Sequence, residues 1–173
     1  PNCRWYSGAG IYRPVWLIVS AKDAPKTLRV VTRSISPAVI SVTADEGAEV
    51  EIYDGKTLVA KGAAGEFTIP DAKLWSAETP YLYTAVAKRG GEELKTAFGI
   101  RTIGWNAKEG FLINGKRTLL RGGCIHHDNG VLGACCYPDA EERRVRILKE
   151  QGFNALRISH NPASRALLDA CDK

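Results

Sequence analysis

The chain has 173 residues, 45% hydrophobic and 25% charged, which is ordinary globular usage with room for one or two domains. No apolar run approaches the roughly 20 residues needed to span a bilayer, and the first residues do not read as a charged-then-apolar leader. The net charge of +5 comes from scattered basic residues rather than a one-sided stripe, so neither nucleic acid nor a membrane is an expected partner.

Pro1 at the start and the lack of methionine predict an internal piece of a longer protein. Residues 1 to about 20 hold Trp5, Tyr6, Tyr12 and Trp16 around Gly8 and Gly10, and RPVWLIV reads as a strand. GAGIYR lacks the third glycine of a dinucleotide fingerprint, and no helix pattern follows it. An aromatic strand without partners reads as the tail of a preceding domain.

Residues 21–103 read as all β. The expected strands are Leu28–Ser34, Val39–Ala44, Glu49–Tyr53, Thr57–Lys61, Glu66–Ile69, Tyr81–Lys88 and Glu93–Ile103. Turn residues separate them at Asp45-Glu46-Gly47, Asp54-Gly55, Ala64-Gly65 and Gly90-Gly91. Short strands at this spacing predict an immunoglobulin-like β-sandwich, with Leu74-Trp75 as a core plug before the long Tyr81 strand.

From residue 104 the pattern changes. Gly110–Lys116 predicts a hairpin turning at Asn114-Gly115, and Thr118–Arg121 a strand ended by Gly122-Gly123. A helix should start at Pro138, with Asp139 as cap and Glu142 as capping-box partner, and carry an apolar stripe of Val145, Ile147 and Leu148. Gly152 should end it. Phe153–Ser159 reads as a buried strand, and Ser164 as the cap of a second helix bearing Leu167, Leu168 and Cys171. Arg143, Arg144 and Arg146 alternate with Glu141, Glu142 and Glu150, which reads as a solvated helix face. A β-α-β-α order implies a parallel strand pair with a right-handed crossover. A (β/α)8 barrel takes eight such units and about 250 residues. Residues 104–173 therefore read as the opening of an incomplete barrel.

The polar residues gather where a barrel carries chemistry, at the exits of its strands. Arg157 sits in an otherwise apolar strand and needs an anionic partner, either a salt bridge in the barrel wall or an active-site carboxylate at its mouth. His160 and Asn161 follow that strand, are held by Pro162, and could hydrogen-bond sugar hydroxyls. His126, His127 and Asp128 leave the preceding strand on the same side. One histidine should face the site, and Asp128 either accepts from a substrate hydroxyl or caps the loop before Asn129-Gly130.

The five cysteines are an odd number without framework spacing. Cys3, Cys124 and Cys171 read as small buried apolar residues, and Cys135 and Cys136 are adjacent. A zinc set of His126, His127, Cys135 and Cys136 is conceivable, but short-spaced ligand pairs are missing, so no metal or other cofactor is expected. The cysteines fit a reducing compartment, which leans towards a bacterial cytoplasm.

RWYSGAGIYRPVWL, LWSAETPYLY, FGIRTI, FLINGKRTLLRGGCIHHD and FNALRISHNP together resemble glycoside hydrolase family 2, the β-galactosidases, β-glucuronidases and β-mannosidases. The resemblance implies three parts. Residues 1–20 would be the tail of a sugar-binding jelly roll, 21–103 the immunoglobulin-like sandwich and 104–173 the truncated start of the catalytic barrel. It implies a retaining double displacement by two glutamates that lie beyond Lys173. It makes His126 and His160 sugar-binding histidines and Arg157 the support of the nucleophile carboxylate. Cys124 stands where asparagine is usual and His127 where glutamate is common. A retaining pair needs two carboxylates about 5–5.5 Å apart, and none is recognisable in the sequence. The expectation is therefore a β-galactosidase-like exo-glycosidase acting on a terminal β-linked sugar, with this chain alone silent and a homo-oligomer allowed. The alternatives are a β-glucuronidase of the same family or a non-catalytic carbohydrate-binding or interaction module.

Overall fold

The structure, a computed structural model, describes residues 11, 13–160 and 162–173. The expectations for Cys3, Trp5, Tyr6, Gly8, Gly10 and Tyr12 lie outside the described residues. The chain divides into two compact units, one of residues Ile18–Thr118 and the other of Leu119–Lys173 with the described residues before Ile18.

The first unit is a sandwich. Strands β1 (Leu28–Ile35), β2 (Ala38–Ala44) and β5 (Gly65–Thr68) form one antiparallel sheet. Strands β3 (Glu49–Asp54), β4 (Thr57–Ala63), β6 (Tyr83–Arg89) and β7 (Glu92–Phe98) form the other, in the order β4-β3-β6-β7. The alternation along β2 works as a strand should, burying Ala38, Ile40 and Val42 and turning Val39 and Ser41 away. Ile40, Val50, Ile52, Ala85 and Ile100 are wholly buried, with Tyr83 and Ile69 beside them. Gly90 and Gly91, both at positive φ, close the β6–β7 hairpin in the geometry a two-residue turn demands.

The outer face of the larger sheet carries charge instead. Glu51 is 5% exposed and pairs with Lys88 at 2.7 Å and Lys61 at 3.2 Å. The Tyr53 hydroxyl donates to it at 2.5 Å. Lys88 and then Tyr53 hold the Glu51 carboxyl at about 2, well below its usual 4.5.

Two expected strands differ. The expected strand RPVWLIV, residues 13–19, does not form, and Trp16, Leu17, Ile18 and Val19 are exposed; β structure needs a paired edge, and no described strand pairs with them. The expected strand Glu93–Ile103 breaks after Phe98. There the chain is taken up by the Leu74-Trp75 segment: Leu74 bridges Ile100, Trp75 N donates to Ile100 O at 2.9 Å, and the Arg101 guanidinium lies 4.0 Å over the Trp75 ring. A Cβ on Gly99 would stand 2.7 Å from Trp75, so the plug requires glycine there. Leu74 packs against the core as expected of it.

A third sheet of this unit joins β8 (Ile103–Asn106), β9 (Gly110–Ile113) and β10 (Lys116–Arg117) in the order β10-β9-β8. Its β9–β10 turn falls at Asn114-Gly115 as expected, with Asn114 at φ 52° and Gly115 at φ 73°, the two positive values of a type I′ turn. Asn114 Oδ1 accepts from Thr102 N and its Nδ2 donates to Trp75 O, both at 3.0 Å.

The other unit holds β11 (Gly122–Ile125), α1 (Pro138–Glu150), β12 (Ala155–Ile158) and α2 (Arg165–Asp172). β11 and β12 pair in parallel, from Gly122 opposite Ala155 to Ile125 opposite Ile158, and α1 packs on α2. The strand expected at Thr118–Arg121 is thus displaced, and Gly122-Gly123 are strand residues rather than a turn. The reason is proximity: a Cβ on Gly122 would meet the Ala155 carbonyl at 2.0 Å. Asn154 holds the approach to β11, accepting from Arg121 N at 2.7 Å and donating to Leu119 O at 3.0 Å.

Tyr137, not Asp139, caps α1, without a side-chain bond; Pro138 takes the first helical position, so Asp139 falls in the first turn. Its end is a full Schellman motif, with Gly152 at φ 87°, Gly152 N donating to Lys149 O and Phe153 N to Leu148 O. Ser164 caps α2 as expected, accepting from Leu167 N at 3.1 Å. The buried stripe of α2 is Leu167 and Ala170, whereas Leu168 and Cys171 are exposed.

Candidate active site

The site grows from the ends of the two parallel strands. In a parallel pair, residues in register point to the same side. Cys124 stands opposite Arg157, and Ser159, two residues on, shares that side. Arg157 Nη1 donates to Ser159 Oγ at 3.1 Å and to Cys124 Sγ at 3.5 Å. The hydroxyl of Ser159 and then the guanidinium pull the Cys124 thiol below its usual range. Two expectations change here. Arg157 is exposed rather than sunk in a strand core, and Cys124 is exposed rather than a small apolar filler.

Beyond the strands, Ser159 N donates to Ile125 O at 2.8 Å and prolongs the ladder by one bond. His160 then adopts φ 66°. Continued alternation would put its ring with Leu156 and Ile158. The left-handed backbone breaks that alternation, and the ring comes to 5.6 Å from the ring of His126. The His126 and His160 rings thus meet beyond the C-terminal ends of adjacent strands, while Arg157 lies within β12 beside Cys124 and Ser159. His127 and Asp128 continue the same loop and are half-buried. Asn161 lies outside the described residues. Among those described, no group of three or more His, Cys, Asp or Glu side chains stands at metal-holding distance.

The loop after β11 is held by residues that the sequence pattern assigned to solvent. Glu141 is 1% exposed. Its Oε1 accepts from Asn129 Nδ2 at 3.2 Å, and its Oε2 lies 3.7 Å from Arg144 Nη1. Arg144 Nη1 donates to His126 O at 3.2 Å, and Nη2 donates to Asp128 O and Asn129 Oδ1. Asn129 Nδ2 also donates to Cys135 O at 3.0 Å. Burial and the Glu141 carboxylate push the Cys136 thiol up, against the opposing pull of Arg13. Arg13 Nη2 donates to Pro162 O at 2.7 Å. The expected solvated face thus fails at Glu141 and Arg144. Their i, i+3 spacing was visible, but a mixed charge run looks alike on an outer and an inner face. A cleft of about 830 Å³ beside this loop is lined by His126, Asp128, Arg144 and Ile147 and includes neither Arg157 nor His160.

Comparison with known proteins places the fold. Residues 16–101 match the model of glycosyl hydrolases family 2, and residues 106–173 match that of the family's TIM barrel domain. A β-galactosidase of Bacteroides ovatus is 34% identical over all of the chain and 24% of its own length. A putative β-glucuronidase of Formosa agariphila is 32% identical over all of the chain and 19% of its own length. Among solved structures, a glycosyl hydrolase family 2 member from Bacteroides cellulosilyticus superposes with TM-score 0.87 at 39% identity, covering 99% of this chain and 28% of that one. A β-D-glucuronidase of Dictyoglomus thermophilum gives TM-score 0.80 at 28% identity, over 87% of this chain and 28% of that one. The chain spans about a quarter or less of the curated relatives named here. A sandwich followed by the first strands of a barrel, matched along nearly its whole length, makes the chain a member of glycosyl hydrolase family 2.

Proposed function

We propose that this chain supplies the sandwich and the first wall of the sugar site in a retaining exo-β-glycosidase, with a terminal β-galactoside as substrate. In this reading the parts are residues 1–20 as the tail of a sugar-binding domain, 21–103 as the sandwich and 104–173 as the barrel start. The observation that carries it is the approach of the His126 and His160 rings to 5.6 Å beyond β11 and β12, with Arg157 in register with Cys124 on the same pair of strands. Imidazoles at this spacing can share the hydroxyls of one sugar ring, and a guanidinium on the same strand pair can orient a carboxylate. His127 and Asp128 extend the polar rim, and Asn161 is assigned to it from its place after His160 in the sequence alone. The two carboxylates of the double displacement come from elsewhere in the enzyme, so the 173-residue chain alone turns nothing over.

The test is a panel of aryl β-galactoside, β-glucuronide and β-mannoside given to the enzyme that carries this sequence. Preferential release from the galactoside supports the proposal. Preference for the glucuronide establishes the second reading, favoured by the β-glucuronidases among the relatives. Titrating the isolated chain with galactose and glucuronate tests a binding-module role, which specific binding by the sandwich would support.

A further inference from the structure

We infer that Glu141 is a positioning residue that locks together the two loops bearing His126 and His160. This rests on the glycosidase reading above. Glu141 is the most deeply buried charged side chain among the described residues of its unit, at 1% exposure, and it sits on the inner side of α1. Burying a carboxylate is costly unless hydrogen bonds and a cation answer it, so its place demands those partners. Towards the first loop it meets Asn129 and Arg144. Arg144 in turn grips the backbone carbonyls of His126 and Asp128. Towards the second loop, Glu141 lines one small space with Arg13, Ser164 and Leu167. Arg13 fastens that loop through the carbonyls of Pro162 and Ala163, just past His160. Carbonyl groups held at fixed points leave the loop few ways to move, and the His126–His160 spacing follows from both anchors. Glu141 itself touches no substrate.

The experiment uses the complete enzyme and its best aryl glycoside. Glu141→Gln keeps the size and one acceptor oxygen but removes the charge that orients Arg144. It should leave the circular dichroism unchanged and lower kcat on the order of 100-fold, the effect of about 1 Å of misplacement, with KM moving far less. Amide hydrogen exchange should quicken at residues 126–130 and at Ala163 and Ser164 together, while β2 and β3 stay protected. Arg144→Lys, which keeps the charge but loses the fork, should loosen residues 126–130 alone. Glu150→Gln, on the exposed side of the same helix, should match wild type. If Glu141→Gln keeps wild-type kcat and exchange, or only one loop loosens, the inference is overturned. A wild-type enzyme silent on the whole panel would instead overturn the glycosidase reading, and exchange would still judge the Glu141 lock.

Discussion

The sandwich and the barrel segment bury opposite things. In the sandwich the deepest large side chains include Ile40, Val50, Ile52 and Ile100, all at 0% exposure, and charge stays on the outer face of a sheet. In the barrel segment the only buried hydrophobic side chains among the described residues are Leu167 and Ala170, and the deepest large one is the carboxylate Glu141. The first arrangement stabilises by removing apolar area from water, which is non-directional. The second contributes little in that way, but its hydrogen bonds have direction and fix loops in place. The sandwich is built to hold, and the barrel segment to aim.

Four changes break or sharpen this contrast. Ile52→Ala opens a cavity in the apolar core and should cost about 2–5 kcal/mol in a denaturant titration of the chain. A loss below about 1 kcal/mol would mean that the sandwich core is not what holds the unit. In the complete enzyme, Arg157→Ala should lower kcat on the order of 100-fold without unfolding; unchanged kinetics would remove Arg157 from the site. Gly122→Ala drives a Cβ onto the Ala155 carbonyl and should cost about 1–3 kcal/mol, read as lost exchange protection at Ser159. Gly123→Ala, whose Cβ would meet only Phe153 at 3.9 Å, should be near neutral and serves as its control.

The smallest effect is on acid stability. Glu51 has its pKa lowered in the folded state to about 2, so its contribution is complete above about 4.5 and is lost as pH falls from there towards 2. Asp45, Asp54 and Glu93 are shifted in the same direction, and all lie in the sandwich. The sandwich should therefore lose stability between pH 5 and pH 2, and Glu51→Gln should flatten that dependence. A slope identical to wild type would show that the Lys88–Glu51–Lys61 ladder adds nothing.

The sequence by itself determined the sandwich strands, the Asn114-Gly115 turn, the helix end at Gly152 and the cap at Ser164. Each of these is a local matter of backbone conformation or of alternation between core and water. It also marked the His126-His127-Asp128 run, Arg157, and His160 with Asn161, because polar residues in or just past an apolar strand break its pattern, without saying which of the two adjacent histidines faces His160. Only the tertiary structure decided that Gly122 lies in a strand, since its reason is a carbonyl 33 residues away. Only tertiary structure broke the Glu93–Ile103 run, where Leu74-Trp75 takes the place of a partner strand. The same holds for Glu141 and Arg144: the charge pattern of a helix does not say which side faces inward. That depends on which carbonyls and amides the neighbouring loops bring within reach.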